Sequence, residues 1–433
     1  MELEYLIQAE ITQRREEGCD ITDVEQKFYA LKEKNRASLE GLLDELEGLS
    51  PKVDFPYPEP SILETIRTAR PRGPRRMKID LSGNELYDRI YGAWLGRCAG
   101  CLLGKPVEGW SREKIEGYLK LAGGYPLQDY FPPISQAPEE YSIHPAVKRC
   151  TSGNIQGMVR DDDTDYTILG LHILEEHGPD FTNKDVAEEW LTHLPYKQVY
   201  TAERAAYKNL VNGIRPPASA TYRNPYREWI GARIRADIWG YVTPGMPERG
   251  AELAFRDASL SHMKNGIYGE MFVSAMLSAA FVTNDVEKII EVGLSEIPDR
   301  SRLAEAVRDT MKWSKEFADW REAWSRVMAK YGHYHSVHTI NNAAIVLLGL
   351  LYGKGDYEKS ITISVMGGLD TDCNGATTGS ILGATLGVKA LPERWVSPLN
   401  NRIKSFVLGF NNSRISGLAK RTFKIAEEVL ECG

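Results

Sequence analysis

Apolar residues recur along most of this chain at the three-to-four-residue spacing of amphipathic helices, and no repeating strand–helix alternation interrupts them. Two stretches depart by being apolar almost all round, Gly266–Phe281 and Ala343–Tyr352. Such segments belong to buried helices, and both are too short to span a bilayer. Residues 1–48 are charged and amphipathic with few breakers, which predicts about two helices. A proline-rich run over residues 51–60 then spaces them from the remainder. The stretch 299–328 reads as an exposed amphipathic helix, while Ile361–Val365 alternates like an isolated strand that a helix would also accommodate. The pattern therefore predicts an all-α body over residues 77–433 behind a helical extension and linker over residues 1–76.

Two glycine stripes stand out within this pattern. Gly92, Gly96, Gly100 and Gly104 share one helical face, and so do Gly375, Gly379, Gly383 and Gly387. Each interior glycine costs a helix about 1 kcal/mol relative to alanine. Close approach of two helices is the gain that offsets such a cost, so the two stripes are expected to cross near the centre of the body.

The chain is 433 residues long, enough to bury a large core, and its net charge of −7 argues against general affinity for nucleic acid or anionic membranes. Its start lacks the basic and apolar regions of a secretory signal. Six dispersed cysteines make no disulfide framework, so a cytoplasmic setting is expected. Cys98 and Cys101 form a CxxC without a second pair for zinc or a thioredoxin-like context for redox work. Five arginines between Arg67 and Arg76 offer an anion-binding arm or a connector lying on an acidic surface, and the second is the simpler reading.

The chemistry concentrates in two acid-rich clusters, Asp161-Asp162-Asp163-Thr164-Asp165 and Asp370-Thr371-Asp372-Cys373, each opening an apolar run. Carboxylates this dense are costly to bury unless cations offset them, and oxygen donors suit Mg²⁺, Mn²⁺ or Ca²⁺. Capping by Asp163 or Thr164 would explain one or two acids of the first cluster but not all. Asp161, Asp162 and Asp165 also satisfy the DDxxD pattern of prenyl synthases, yet no matching second motif follows. Asp370 and Asp372 share the DxD of haloacid-dehalogenase phosphotransferases, without the strand that motif requires. His333, His335 and His338 are close enough in sequence for zinc but lack a scaffold, and His262 precedes a buried helix. No P-loop, dinucleotide fingerprint or nucleophile elbow is present.

Taken together, three motifs resemble those of the ADP-ribosylglycohydrolase family. The first glycine stripe runs into Gly104-Lys105-Pro106-Val107-Glu108, Asp161-Asp162-Asp163-Thr164 stands for the T-D-D-T signature, and Gly367-Gly368-Leu369-Asp370-Thr371-Asp372 stands for G-G-D-T-D. The resemblance implies an all-α orthogonal bundle holding two Mg²⁺ or Mn²⁺ ions in a central cleft. It places Asp161, Asp162, Asp163, Asp370, Asp372 and Cys373 at the metal positions, Asp161 and Cys373 falling where the family has hydroxyl residues. It also makes Glu108 and Asp163 the catalytic carboxylates of a hydrolase that cleaves a glycosidic bond to ribose. Arg235, His262, Tyr268 and His338 are the expected substrate contacts.

Three departures bear on substrate. Cys101 replaces an aspartate, Leu369 is inserted before Asp370, and Ile230–Arg235 lacks the asparagine of the family's N-G-x-x-M-R segment. The expected partner is thus a small-molecule or ADP-ribosylated substrate. The alternatives are a nucleosidase-like hydrolase of a small N-ribosyl compound and a catalytically silent ligand-binding protein on the same scaffold.

Overall fold

The computed structural model describes residues 3–32 and 35–432, and the protein is built almost entirely of helices. Its centre is the pair of glycine-striped helices Gly83–Gly104 and Thr371–Leu386, here the first and second glycine helices. They run antiparallel with the stripes interlocked, Gly92 against Gly383, Gly96 against Gly379 and Gly100 against Gly375. A Cβ on Gly96 would lie 2.1 Å from the Gly379 carbonyl oxygen, and one on Gly100 2.0 Å from that of Gly375. Only backbones without side chains fit at this separation.

The consequence is positional. Antiparallel interlocking brings the C-terminal end of the first glycine helix beside the N-terminal end of the second, where a Cβ on Gly104 would lie 2.2 Å from the Thr371 carbonyl. Thr371 Oγ1 donates to the Gly104 carbonyl at 2.8 Å and fastens that junction. Replacing Gly96 with alanine would gain about 1 kcal/mol of helix propensity. Forcing backbone away from backbone costs the full overpacking penalty of about 3 kcal/mol or more, and overpacking wins. Gly96→Ala is expected to lower the free energy of unfolding by a net ~2 kcal/mol or more, read as a lower urea midpoint; an unchanged midpoint would contradict the interlocked geometry.

Around this pair pack the fully buried helices Asn265–Ala280 and Thr339–Gly353, the two segments whose sequence is apolar all round. The helix Asp162–His177, the aspartate helix, begins at the first acid cluster and buries Ile168, Leu169, Leu171 and Leu174. A short antiparallel ribbon pairs Arg402–Lys404 with Asn412–Arg414, and Met158 bridges to Ile403, which steers the chain into that helix. Ile361–Val365 lies within a helix, Tyr357–Met366. The stretch 299–328 is two helices, Arg302–Glu316 and Trp320–Tyr331, because Asp319 caps the second and starts it afresh. The first of the two is not exposed all round, since Leu303, Ala304, Ala306 and Val307 face the core.

Within residues 1–48 the described residues form three helices rather than about two, Leu3–Glu16, Thr22–Ala30 and Arg36–Glu47, with a small core of their own around Ile7, Phe28, Leu43 and Leu46, and a short helix, Leu63–Ala69, follows in the linker. They dock through buried charge. Arg227 pairs with Glu10 at 2.9 Å and Glu17 at 2.8 Å, and Arg302 joins Glu59 and Glu228, both at 2.7 Å. The arginine arm lies on acidic body residues, Arg67 on Glu252, Arg70 on Glu248 and Glu296, and Arg75 on Glu296. Among the described residues no helix is long and apolar enough to cross a membrane.

Candidate active site

The junction of the two glycine helices and the start of the aspartate helix form the floor of a cleft of about 530 Å³, a size that suits a small-molecule ligand. Lys105, Glu108, Asp162, Asp163, Asp370, Asp372 and Cys373 line it. Two acid clusters some two hundred residues apart in sequence therefore face one space. Asp161 caps the aspartate helix, its Oδ1 accepting from the Asp163 N–H at 2.9 Å, so the cap is neither Asp163 nor Thr164. Asp165 turns away and is held by Arg160 at 2.7 Å, Ser405 at 2.7 Å and the Phe406 N–H at 3.1 Å. With Asp165 so occupied, the DDxxD pattern does not present one acidic face.

The second cluster is aimed by its loop. Gly368 and Leu369 both take positive φ, 75° and 65°, a conformation that a leucine adopts only at a cost. The Leu369 carbonyl accepts from the Gly109 N–H, and Asn342 Oδ1 accepts from the Asp370 N–H at 3.1 Å and from Asn374 at 2.8 Å. Arg233 in turn donates to Asn374 Oδ1 at 2.7 Å. These bonds fix the loop that carries Asp370 and the first turn of the second glycine helix.

The electrostatics are those of a site short of positive charge. Burial, with the neighbouring Asp161 second, pushes Asp162 up to about 7. Burial and the surrounding carboxylates hold Asp163 and Asp370 well above the usual carboxylate range. Glu108 is half exposed at the mouth; the Asp372 charge, with burial second, pushes its carboxyl up to about 8, though solvent on its open side screens part of that effect. Asp161 moves the other way, to about 2: burial is the largest single effect and raises it, but Lys105, the Asp163 N–H and Arg160 together outweigh it. Asp370 Oδ1 and Asp372 Oδ1 are buried without an aligned hydrogen-bond partner. Buried polar atoms are rarely left so, and two such oxygens aimed into one space are the donor set a hard cation takes.

Two basic residues that the sequence reading passed over organise this floor. Arg97, fully buried on the first glycine helix, donates to the Asp163 carbonyl and the Ile234 carbonyl, both at 2.6 Å, and pairs with Asp237 at 2.7 Å. It fixes the first turn of the aspartate helix. Lys105 sets its Nζ 2.7 Å from Asp161, 2.8 Å from Asp372 and 2.9 Å from Glu108. Its only sequence signal is its place between Gly104 and Pro106, beside Glu108. Cys373 donates its thiol to Asp163 Oδ2 at 3.1 Å, and burial keeps that thiol protonated.

The four expected substrate contacts do not line the cleft. Arg235 is buried in ion pairs with Asp257 at 2.6 Å and Glu203 at 2.8 Å, behind Tyr166. His262 is buried beside Ala232, whose N–H it accepts at 3.3 Å. Tyr268 spends its hydroxyl on the Pro60 carbonyl, under the linker. His338 is buried as the cap of the helix Thr339–Gly353. Arg235, His262 and Tyr268 meet partners distant in sequence, while His338 accepts from the Ile340 N–H and leaves its Nε2 without an aligned partner, so their patterns alone could not place them. His333 and His335 do not converge with His338 either, since His335 stacks on Trp229 at 4.1 Å and His333 is exposed. Cys98 and Cys101 are both free and buried, and burial pushes both thiols up, the opposite of a reactive pair.

A family model described as ADP-ribosylglycohydrolase matches residues 82–429. A solved chain described as "ADP-ribosylglycohydrolase-related protein complex" is 20% identical, covers 79% of this chain and 99% of its own length, and superposes with a TM-score of 0.48. No curated protein matches the chain.

Proposed function

This chain belongs to the ADP-ribosylglycohydrolase family, and from that premise we propose that it is a hydrolase, dependent on two divalent ions, that cleaves a glycosidic bond to ribose. The observation that carries the reading is the convergence of Asp162, Asp163, Asp370 and Asp372 on one cleft floor, with buried carboxylate oxygens left unpartnered. The donor set fits Mg²⁺ or Mn²⁺. Asp161, Asp162 and Asp163 would hold ions from one side and Asp370 and Asp372 from the other, while Cys373, a protonated thiol, suits a hydrogen-bonding neighbour better than a ligand for a hard ion.

When bound, such ions supply positive charge to ribose hydroxyls and lower the pKa of a bound water. The chain supplies the rest. Glycosidic cleavage passes through an oxocarbenium-like state, which a carboxylate-lined floor stabilises by its negative charge. Glu108, open to the cleft at its mouth, is better placed than Asp163 to take a proton from the attacking water, since Asp163 is pinned by Cys373 and by Arg97 through its carbonyl. Arg97 and Asn342 hold the two clusters in register, and Tyr166 and Ile234 close the apolar wall.

A second reading rests on charge. Only Lys105 and Arg160 among the lining residues are basic, and Arg235 is consumed behind the wall. A diphosphate-bearing substrate has few cations to meet, which favours a smaller N-ribosyl compound. Calorimetric titration of the Mg²⁺-loaded protein with ADP-ribose, ribose and simple nucleosides decides between them. Tight ADP-ribose binding lost on chelation is expected for removal of ADP-ribose. Nucleoside binding with weak ADP-ribose binding selects the smaller substrate. Metal without binding or turnover of any ribosyl compound would overturn the hydrolase reading and leave a silent scaffold.

A further inference from the structure

At the far end of the aspartate helix, well away from the acidic cleft, three of the eight histidines gather round one carboxylate. The helix ends at His177, turns through residues 178–182, and the next helix, Asn183–His193, packs back against it. Glu189 and His193 are four residues apart on that second helix and so share a face. His172 Nε2 lies 3.1 Å from Glu189 Oε2, and His193 Nδ1 lies 2.7 Å from the same oxygen. His177 Nε2 lies 2.9 Å from the other oxygen, Oε1.

The contacts of His193 are not those of an ordinary hydrogen-bonded network. Its Nδ1 is buried and close to Glu189 Oε2, yet it is misaligned and counts as a nitrogen without a hydrogen-bond partner. The His172 and His193 rings stand 4.3 Å apart and are tilted at 59° rather than stacked. One donor atom each from His172, Glu189 and His193 can be chosen so that all lie within 4.8 Å of one another.

We propose that His172, Glu189 and His193 form a zinc-class metal site that clamps this helical hairpin, with His177 orienting Glu189 through its second oxygen. Two imidazoles and a carboxylate match Zn²⁺, and the same donors are poor for Mg²⁺. Tetrahedral Zn²⁺ at about 2.0–2.1 Å from each donor sets donors about 3.3 Å apart, so the two nitrogen–oxygen spacings of 3.1 and 2.7 Å need only a slight opening. The side chains of His172, Glu189 and His193 are 13–17% exposed, which leaves a water room at the fourth position. His177 bonded to Oε1 leaves Oε2 for the ion, the usual division of labour between a ligand and its hydrogen-bonded support. Asp185, 3.9 Å from His177 Nδ1, adds further negative charge, though its oxygens also complete the capping box with Thr182. The site lies about 15 Å along the helix from Asp162 at 1.5 Å per residue, too far to share an ion with the cleft. Its role is to fix the axis of the helix whose first turn carries the acid cluster.

The test is titration of the metal-free full-length chain with Co²⁺ and then Zn²⁺, in millimolar Mg²⁺ to satisfy the oxygen-rich cleft. One equivalent of Co²⁺ is expected to give the intense visible bands of four-coordinate cobalt, and one equivalent of Zn²⁺ to displace it. His193→Gln is expected to weaken Zn²⁺ binding by about 100-fold or more, and Glu189→Gln similarly, with far-UV circular dichroism confirming that each variant folds. A wild-type chain giving only octahedral Co²⁺ spectra, or unchanged Zn²⁺ binding in either folded variant, overturns the proposal. Should both variants fail to fold, the wild-type Co²⁺ spectrum decides alone.

Discussion

Asp162→Asn combined with Asp370→Asn is expected to abolish divalent-cation binding while leaving the fold intact. The two residues open different helices: the interlocked glycine stripes set Asp370 at the junction, and Arg97 of the first glycine helix ties the start of the aspartate helix beside it. Each substitution keeps the shape of the side chain and removes one negative charge. In the metal-free protein that removal relieves repulsion, since both carboxyls are held above the usual range by burial and by their neighbours. Thermal stability without metal should therefore hold or rise. Affinity should move the opposite way, because divalent ions bind hard oxygen donors chiefly through their charge. Loss of several kcal/mol of electrostatic stabilisation predicts a fall in ribosyl-bond hydrolysis on the order of 10³-fold. Calorimetry with Mn²⁺ measures the first effect and a turnover assay the second. A folded double variant that binds Mn²⁺ as the wild type does would show that the clusters do not act as one cation site.

How much of this was legible in the sequence depends on the range of the interaction. The glycine stripes could be read because a costly residue at every fourth position is a local pattern with one economical use, and the structure interlocks them stripe to stripe. The apolar-all-round helices were legible for the same reason, since burial on every face leaves no polar face, only scattered polar positions such as Glu270 and Asn342. The strand-like Ile361–Val365 was ambiguous because short apolar runs carry no decisive period, and packing made it helix. Arg235, His262, Tyr268 and His338 carry the polar and aromatic groups that a substrate contact needs. Their partners, Asp257, Ala232, Pro60 and the cap of the Thr339 helix, are matters of tertiary contact or backbone position that side-chain type does not announce. Arg97 is hidden for a complementary reason: a lone arginine one position past a stripe glycine points off the packing face like an ordinary polar residue, whereas its guanidinium is the tie that anchors the aspartate helix. The histidine cluster likewise combines an i, i+4 pair with residues from the preceding helix, and only the hairpin turn between them makes it one site.

Lys105 gives the second large effect. Its ammonium contacts Asp161, Asp372 and Glu108 at 2.7–2.9 Å, where a cation among these carboxylates would sit. Lys105→Met keeps most of the stem's volume and removes the charge. Breaking a buried ion pair by deleting one partner costs about 3–5 kcal/mol, and the 18% exposure of the Lys105 side chain argues for the lower end. The metal-free variant should therefore unfold about 3 kcal/mol more easily. Mn²⁺ should restore that loss, because a divalent ion meets the same carboxylates with more charge. Freed from competition with an internal cation, the site should also bind Mn²⁺ at least about tenfold more tightly, a gain of about 1.4 kcal/mol. The two readouts separate two roles for the lysine. If Lys105 competes with metal for the carboxylates, removing it weakens the empty protein and strengthens metal binding together. If it instead serves as a cation for the substrate while metal occupies other oxygens, Mn²⁺ affinity stays level or falls and the stability loss persists in saturating Mn²⁺. The first outcome would make Lys105 a built-in counter-ion that holds the acid clusters together until metal arrives.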